Sequence, residues 1–216
     1  MKLYKLTDAN GRTRNNTQWG ENITHTATGD VAQGLCSDAY IHAYEHPLIA
    51  VMMNPAHGNI HSPRMYECEG EIIEREGQLK CGCRELTTLR EMAVPSVTPS
   101  QRTAFGILCA LDVYSKPSYV AWANDWLTGK DRSARAAAAE EDAAARAARA
   151  RAWAAAEEVA AAAPGWAAAW WAARAAAAGW AAAEEEAAWA AEATATAWAA
   201  EKPIDFVSLA EKAMNY

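Results

Sequence analysis

The sequence predicts an α+β protein: a small, mostly antiparallel sheet with helices, followed by a long Ala/Trp-rich α-helical hairpin or kinked helix. Two observations indicate this class. Residues 1–127 are varied and contain short segments in which apolar and polar residues alternate, as they do in half-buried strands. From Asp131 to Ala200, 40 of 70 residues are alanine, the residue with the highest helix propensity. We therefore divide the chain at TGKDRS into a domain of residues 1–127 and a helical region of residues 128–216.

Four segments of the first part have the pattern of strands. Lys2–Thr7 is a short strand candidate, and Asn22–Thr28 alternates in strand fashion. Arg64–Ile73 also alternates, and the turn signal EREGQ separates it from LKCGCREL, so the two segments together predict an antiparallel hairpin. The segment Glu85–Pro95 (ELTTLREMAVP) predicts a further strand that leaves the domain.

Three helices are predicted in the same part. Glu45–Asn54 has the composition of a short buried helix with Pro47 in its first turn, where proline is tolerated. The segment TPSQRTAFGILCALDVY has an N-cap at Thr98 and Pro99 at the first helical position, and Gln101 completes a capping box. KPSYVAWANDWL predicts a third helix with two tryptophans four residues apart on one face.

Alanine content predicts two long helices in the second part, over about residues 131–163 and 166–200. Pro164 and Gly165 interrupt them, because proline removes a helical hydrogen bond and clashes with the preceding turn. The segment KP at Lys202 ends the second helix. PIDFVSLAEKAMNY then predicts a short amphipathic helix with Ile204 and Val207 on one side.

Tryptophans recur every nine residues at Trp171, Trp180, Trp189 and Trp198. Nine residues are two and a half helical turns, so successive rings point to opposite sides, while eighteen residues are five whole turns. On a continuous helix Trp153, Trp171 and Trp189 therefore share one side. Large rings fill gaps between alanine faces, so we expect these side chains at helix contacts. The residues expected at oligomer contacts are Trp153, Trp166, Trp170, Trp171, Trp180, Trp189 and Trp198.

Four interpretations of this region stay open. Its helices pack within one subunit or between subunits, or they face a membrane, or they are a low-complexity repeat under little functional constraint, or they form an ice-binding alanine helix. Ice binding would want regularly spaced threonines, and the region has only Thr194 and Thr196. Arg174, Pro164 and the weak hydrophobicity of alanine count against a membrane span.

Charge and cysteine content exclude several classes of protein. The net charge is −7 and the sequence pI about 5.3, which argues against binding to nucleic acid or to anionic lipid. The N-terminus has no apolar segment of the secretory type. Five cysteines at irregular spacing indicate reduced thiols, so we expect the protein in the cytoplasm.

No metal site is predicted. The pairs His42/His46 and His57/His61 have the spacing that grips a metal on a helix, but Pro47 follows the first pair and a glycine interrupts the second. Cys81 and Cys83 share one face of a strand, and a hairpin turning near Glu76 and Gly77 would place Cys68 opposite Cys83. Three thiols then cluster as buried small hydrophobes, as a redox pair or, less in keeping with their spacing, as metal ligands.

The candidate ligand site is a polar and aromatic set: His42, Tyr44, His46, Arg64 and Tyr66. An arginine among tyrosines and histidines suits a small anionic ligand that contains a ring. The alternative is that both tyrosines are half-buried strand aromatics and that Arg64 is solvated. The sequence contains no phosphate-binding glycine loop, nucleophile elbow or paired-carboxylate motif, so no catalytic residue and no cofactor are predicted.

LCSDAYIHAYEHPLIAVMMNP and RMYECEGEI resemble a family of uncharacterised phage and prophage proteins, over about residues 3–95. That family has a Cys-containing strand, His and aromatic residues, E-x-P-L at the start of a helix, and R-x-Y/F-x-V/C-E. The matching residues are Cys36, His42, Tyr44, Glu45, Pro47, Leu48, Arg64, Tyr66, Cys68 and Glu69. Similar proteins end in Ala/Trp/Arg-rich tails. The resemblance implies action inside a bacterial host and carries no activity.

These observations predict a phage-type accessory protein that is not an enzyme. The first domain binds a host protein or a small nucleotide-like ligand, with counter-defence by sequestration or blocking as one outcome, and the Ala/Trp helices form a homo-oligomer. A structural protein of the virion or its assembly is the alternative. A transferase acting on a nucleotide through His42, Tyr44 and Glu45 is less well supported, because these residues lie within four positions rather than on separate strands.

Overall fold

The computed structural model describes residues 1–141, 163–177, 187, 189–191, 193–194 and 204–216. The predicted α+β class is confirmed, because an antiparallel sheet and α-helices make up the described part. The chain forms two compact units, Met1–Ser96 and Val97–Tyr216. Packing therefore divides the chain earlier than composition does, and the division after residue 127 stays a prediction about function.

The first unit contains seven strands and one α-helix. The strands are β1 (Lys2–Thr7), β2 (Arg12–Thr13), β3 (Thr17–Gln18), β4 (Thr24–Thr26), β5 (Ile41–Ala43), β6 (Arg64–Glu76) and β7 (Lys80–Met92). The predicted strand at Lys2–Thr7 is confirmed, and the one predicted over Asn22–Thr28 is confirmed over three residues. Strands β2 and β3 form a separate two-stranded ribbon, and the others form one sheet.

The main sheet closes on itself. Its path runs β1-β6-β7, and β7 then pairs with both β4 and β5. Just after β5, Tyr44 exchanges both backbone hydrogen bonds with Tyr4 of β1, at 2.8 and 2.9 Å. The strands β1, β6, β7 and β5 thus surround a common interior, and the single bridge between Tyr4 and Tyr44 closes the ring.

Strands β6 and β7 form the predicted hairpin, with Glu76 paired to Lys80 across the turn. Two details of the prediction are wrong. The segment after LKCGC is not a separate strand, because β7 continues without a break to Met92. Cys68 pairs with Thr88 and not with Cys83, because the turn lies later than predicted: with Glu76 opposite Lys80, a regular ladder places Cys68 opposite Thr88.

Helix α1 (Pro47–His57) confirms the buried helix predicted from Glu45 to Asn54. Its residues from Leu48 to Met53 are buried, and the helix packs against β1. The ring nitrogen Nδ1 of His46 accepts a hydrogen bond from the backbone N–H of Leu48 at 3.3 Å, so His46 is the N-cap.

The described helices of the second unit are α2 (Pro99–Val113), α3 (Pro117–Leu127), α4 (Ala163–Ala177) and α5 (Phe206–Ala213), and residues 134–141 are also helical. The predicted start of α2 is confirmed: the Thr98 side chain accepts from the Gln101 backbone N–H, and Gln101 reaches back to the Thr98 N–H. Helix α2 contacts α3, α4 and α5, and its residues from Arg102 to Ala110 are buried. It is therefore the central helix of the unit.

Alanine faces bring the helices of this unit very close together. On α4, Ala168, Ala169, Ala172 and Ala173 are fully buried. A Cβ placed on Gly106 of α2 would lie 3.1 Å from the Ala187 Cα and 3.3 Å from the Ala190 Cβ. Glycine and alanine leave only this narrow gap, so backbone approaches backbone at the contact.

The prediction of one continuous helix from Trp166 to Ala200 is wrong. On such a helix eighteen residues rise about 27 Å, whereas the ring centroids of Trp171 and Trp189 lie 6.2 Å apart. The two tryptophans thus meet because they lie on different helical segments. Helix α4 is described over Ala163–Ala177 and includes Pro164 and Gly165. Trp153, Trp180, Trp198 and residues 142–162 lie outside the described residues.

The capping box provides a first test of the second unit. Replacing Thr98 with Ala leaves the N–H of Gln101 without its acceptor, and we expect the free energy of unfolding to fall by about 1 kcal/mol. Urea denaturation followed by circular dichroism measures the change. Thr98→Ser keeps the acceptor and should lie within a few tenths of a kcal/mol of wild type.

Candidate functional site

The first three residues of the predicted ligand site are held by internal contacts. The Nε2 atom of His42 lies 2.5 Å from the Leu35 carbonyl oxygen, and burial lowers the pKa of His42. The Tyr44 hydroxyl lies 3.2 Å from Nδ1 of His57, and the two rings stack at 5.9 Å. His46 caps α1. All three side chains therefore have a structural role in the loop, strand and helix that surround them.

The structure brings the other two residues, Arg64 and Tyr66, into direct contact. Glu91 holds the Arg64 guanidinium at two points, one of them an Nε–Oε1 distance of 2.9 Å, and this hydrogen bonding raises the pKa of Arg64. The guanidinium also lies 5.4 Å from the centroid of the Tyr66 ring. Tyr66 is fully buried, burial raises its pKa, and its hydroxyl has no hydrogen-bond partner among the described residues. Ligand binding by these five residues stays a prediction.

An unpredicted cluster lies inside the closed sheet and is centred on Lys5. This residue is only 9% exposed. Its ammonium donates to the His42 carbonyl oxygen at 2.6 Å and lies 5.3 Å from the centroid of the Trp19 ring. Burial lowers the pKa of Lys5 to about 8. Within the described residues no carboxylate pairs with this cation, which is unusual for a buried charge.

Three thiols share this interior. Cys68, Cys81 and Cys83 are fully buried in one core cluster, a point that the sequence left open, although Cys68 does not pair with Cys83. Burial raises the pKa of Cys68 to about 12. The Cys81 and Cys83 side chains share a hydrogen bond, which raises the pKa of Cys81 and, together with the positive charge of Lys5, lowers that of Cys83. Cys83 is therefore the thiol of the three that most readily ionises.

The sequence does contain a signal for the buried lysine. Leu3, Lys5 and Thr7 alternate in β1, and because successive strand side chains point to opposite faces, Lys5 shares its face with apolar Leu3. All three residues are buried. The sheet closure at Tyr44 could not be inferred from that alternation, so the depth of the lysine was missed.

A surface pocket of about 250 Å³ lies on the long hairpin of β6 and β7. Gly70 and Ile73 contribute to it from β6, and Arg84, Glu85 and Thr87 from β7. None of the five predicted ligand residues lines it.

The tryptophan pair is the main aromatic feature of the described Ala/Trp region. The Trp171 and Trp189 rings are tilted by 33° and both side chains are partly exposed. The Arg174 guanidinium lies 5.7 Å from the Trp171 ring centroid. Trp166 and Trp170 lie in α4, and their side chains are outside the described part.

The described residues contain neither a metal-binding cluster nor a membrane-spanning helix. In the described ranges, no three His, Cys, Asp or Glu side chains converge in a way that would hold a metal ion. The described helices are all too short or too polar to cross a bilayer.

Comparison with known proteins does not assign the chain to a family. No protein-family model matches the chain, and no curated protein or solved structure shows significant similarity to it. The residues and contacts described above are therefore the basis on which a function can be proposed.

Proposed function

We propose that this is a non-enzymatic accessory protein of phage type that acts by binding in the bacterial cytoplasm and self-associates through its Ala/Trp helices. Its target is a host protein or a small anionic ligand, and sequestering or blocking that target would serve counter-defence. The phage setting is supported by the resemblance of residues 3–95 and of the Ala/Trp region. Self-association is supported by Trp171 and Trp189, whose rings contact each other within the chain and stay partly exposed.

The tryptophan contact supports a helical hairpin as the assembling element. We propose that α4 and the segment around residues 187–194 are its two arms, because the two rings meet at 6.2 Å. The alanines of both arms are buried: Ala172 and Ala173 on one, Ala190 and Ala191 on the other. The packing within the unit thus uses the alanine faces and leaves part of each indole exposed.

Partly exposed tryptophans on two packed helical segments suit a protein contact. Tryptophan is among the residues that contribute most to binding free energy at interfaces, because one ring buries a large apolar area at little conformational cost. The same patch on a second copy provides a matching surface, as in two-fold symmetric dimers. We therefore expect a second copy of the chain to cover Trp171 and Trp189.

The double substitution Trp171→Ala with Trp189→Ala tests this proposal. We expect wild-type protein to form a defined oligomer at micromolar concentration and the variant to be monomeric, because each indole contributes on the order of 1–2 kcal/mol or more to such a contact. Native mass spectrometry of protein purified directly from bacterial lysate reads the subunit number and any retained small molecule together.

The matched control is Ile73→Ala, which removes an exposed apolar side chain from the first unit. It should leave the subunit number unchanged. Circular dichroism checks that the tryptophan variant keeps its helical content. A wild-type monomer at all concentrations, or a variant that stays oligomeric with its helices intact, contradicts the self-association. A nucleotide-sized adduct would support sequestration of a small ligand.

A further inference from the structure

Strand β6 has a free edge along its second half. Its first half lies between β1 and β7, and the pairing with β1 ends where Lys2 meets Glu69. From Gly70 to Glu76, β7 is the only strand among the described residues that pairs with β6. The row of backbone N–H and C=O groups on the opposite side therefore offers a place for one more strand.

One face of this edge is open to solvent. The side chain of Ile73 is 48% exposed, and that of Glu71, on the same side of the strand, is also exposed. Ile72 points the other way and packs against the core of the closed sheet. The surface pocket of about 250 Å³ lies on the open face, where Glu69, Glu71 and Ile73 line it. A strand added at the edge thus places every second side chain beside the pocket.

The pocket carries negative charge that no cation pairs with. Glu69, Glu71 and Glu85 line it together with Arg84, so three carboxylates and one guanidinium give a net charge of −2. The Arg84 guanidinium donates to two backbone carbonyl oxygens at 2.9 and 2.6 Å. Among the described residues, none of the three carboxylates forms an ion pair. The pocket therefore favours a cationic side chain.

A second copy of the chain is a poor occupant of this edge. Residues 69–76 contain four glutamates and one arginine, a net charge of −3, so two copies would bring like charges together across the new pair of strands. Charged side chains on an edge are a common means of preventing a sheet from pairing with another copy of itself. A basic segment is attracted by the same charges.

We propose that the edge of β6 from Gly70 to Glu76 binds an extended, basic segment of a partner protein as an added strand. Backbone hydrogen bonds provide affinity, lysine or arginine at every second position meets the carboxylates of the pocket, and an apolar residue covers Ile73. This inference rests on the proposed function in taking a protein as the target. It does not depend on self-association, because the edge lies in the first unit and the tryptophan pair in the second.

Peptide binding to the full chain tests the proposal. The probe is a fluorescein-labelled peptide of about nine residues with blocked ends, in which lysine and valine alternate. Fluorescence anisotropy should give a Kd in the micromolar range, at least about tenfold lower than that of a peptide with glutamate in place of lysine. Added salt should weaken the binding. Two further peptides are N-methylated on every valine or on every lysine, and at least one of them should bind about tenfold more weakly because it lacks the backbone donors.

A charge reversal on the protein provides the matched experiment. The double variant Glu69→Lys with Glu71→Lys should exchange the preference, so that the glutamate peptide binds more tightly than the lysine peptide. Asp112→Asn removes an exposed carboxylate from the second unit and should leave both Kd values unchanged. Hydrogen exchange with mass spectrometry should show slower exchange of the amides of residues 70–76 when the lysine peptide is bound. Circular dichroism confirms the fold of each variant.

Several outcomes would overturn the proposal. They are equal affinity for the lysine and glutamate peptides, binding that neither N-methylated peptide weakens, and slower exchange only outside residues 70–76. Slower exchange at this edge on raising the protein concentration without peptide would assign it to a second copy, and so would also contradict the proposal. The Trp171→Ala, Trp189→Ala variant separates this inference from self-association, since it should bind the lysine peptide as tightly as wild type does.

Discussion

Between pH 8 and 10.5, wild-type protein should gain about 3 kcal/mol of stability relative to a Lys5→Met variant. Burial lowers the pKa of Lys5 from 10.5 to about 8 in the folded state. In this interval the unfolded chain still holds the proton that the folded protein has released, so raising the pH favours folding. Each pH unit contributes about 1.4 kcal/mol. Below pH 8 both states are protonated and the gain is absent.

Urea denaturation at a series of pH values, followed by tryptophan fluorescence, measures this difference. Comparison with Lys5→Met removes the contribution of the tyrosines and thiols that titrate in the same range. Methionine keeps the length and apolar stem of lysine, so the packing against Trp19 changes little. Exposed Lys130 serves as the control. The free energy of unfolding of Lys130→Met should change with pH in the same way as that of wild type. If the free energies of unfolding of wild type and Lys5→Met changed equally with pH, Lys5 would have its ordinary pKa in the folded protein.

Gly106→Leu should destabilise the second unit by about 1–3 kcal/mol, as overpacking of a well-packed core does. The first carbon of the new side chain would lie 3.1 Å from the Ala187 Cα and 3.2 Å from its carbonyl oxygen. Backbone atoms cannot rotate away as a side chain can, so the helices must separate to admit a leucine. Thermal and urea denaturation followed by circular dichroism measure the loss.

Gly106→Ala is the matched control for this substitution. Its single methyl group requires a shift of a few tenths of an ångström, and the gain in helix propensity of up to about 1 kcal/mol offsets that cost. We therefore expect Ala to be close to neutral and Leu to be harmful. A leucine variant as stable as the alanine variant would show that the contact of α2 with Ala187 and Ala190 does not form.

Local signals in the sequence were sufficient for most elements. The capping box of Thr98 and Gln101 lies within four residues, and the turn between Glu76 and Lys80 joins neighbouring segments. Such features depend on residues close in sequence, so pattern and chemistry identify them. The strand at Lys2–Thr7 and the helix beginning at Pro47 were predicted for the same reason.

Features that depend on distant residues were not predicted. The turn fixes the register of the whole hairpin, and with Glu76 opposite Lys80 the partner of Cys68, eight residues away, is Thr88 and not the predicted Cys83. Lys5 lies on an apolar face, but its burial depends on the closure between Tyr4 and Tyr44. The nine-residue tryptophan spacing fits a continuous helix, yet Trp171 and Trp189 meet across two segments. Periodicity gives the face of a residue and not its partner.

The closed sheet also sets an order for folding during synthesis. Strand β1 leaves the ribosome before its partner strand β6, whose paired residues lie 57 to 67 positions later, from Thr7 with Arg64 to Lys2 with Glu69. The hairpin of β6 and β7 needs only its own turn, so this local contact forms at the lowest loop-closure entropy. We expect β1 to stay unpaired in the nascent chain until β6 and β7 have left the ribosome and formed their hairpin, with which β1 can then pair. A ribosome stalled before Met92 should therefore carry a first unit that proteases still cleave.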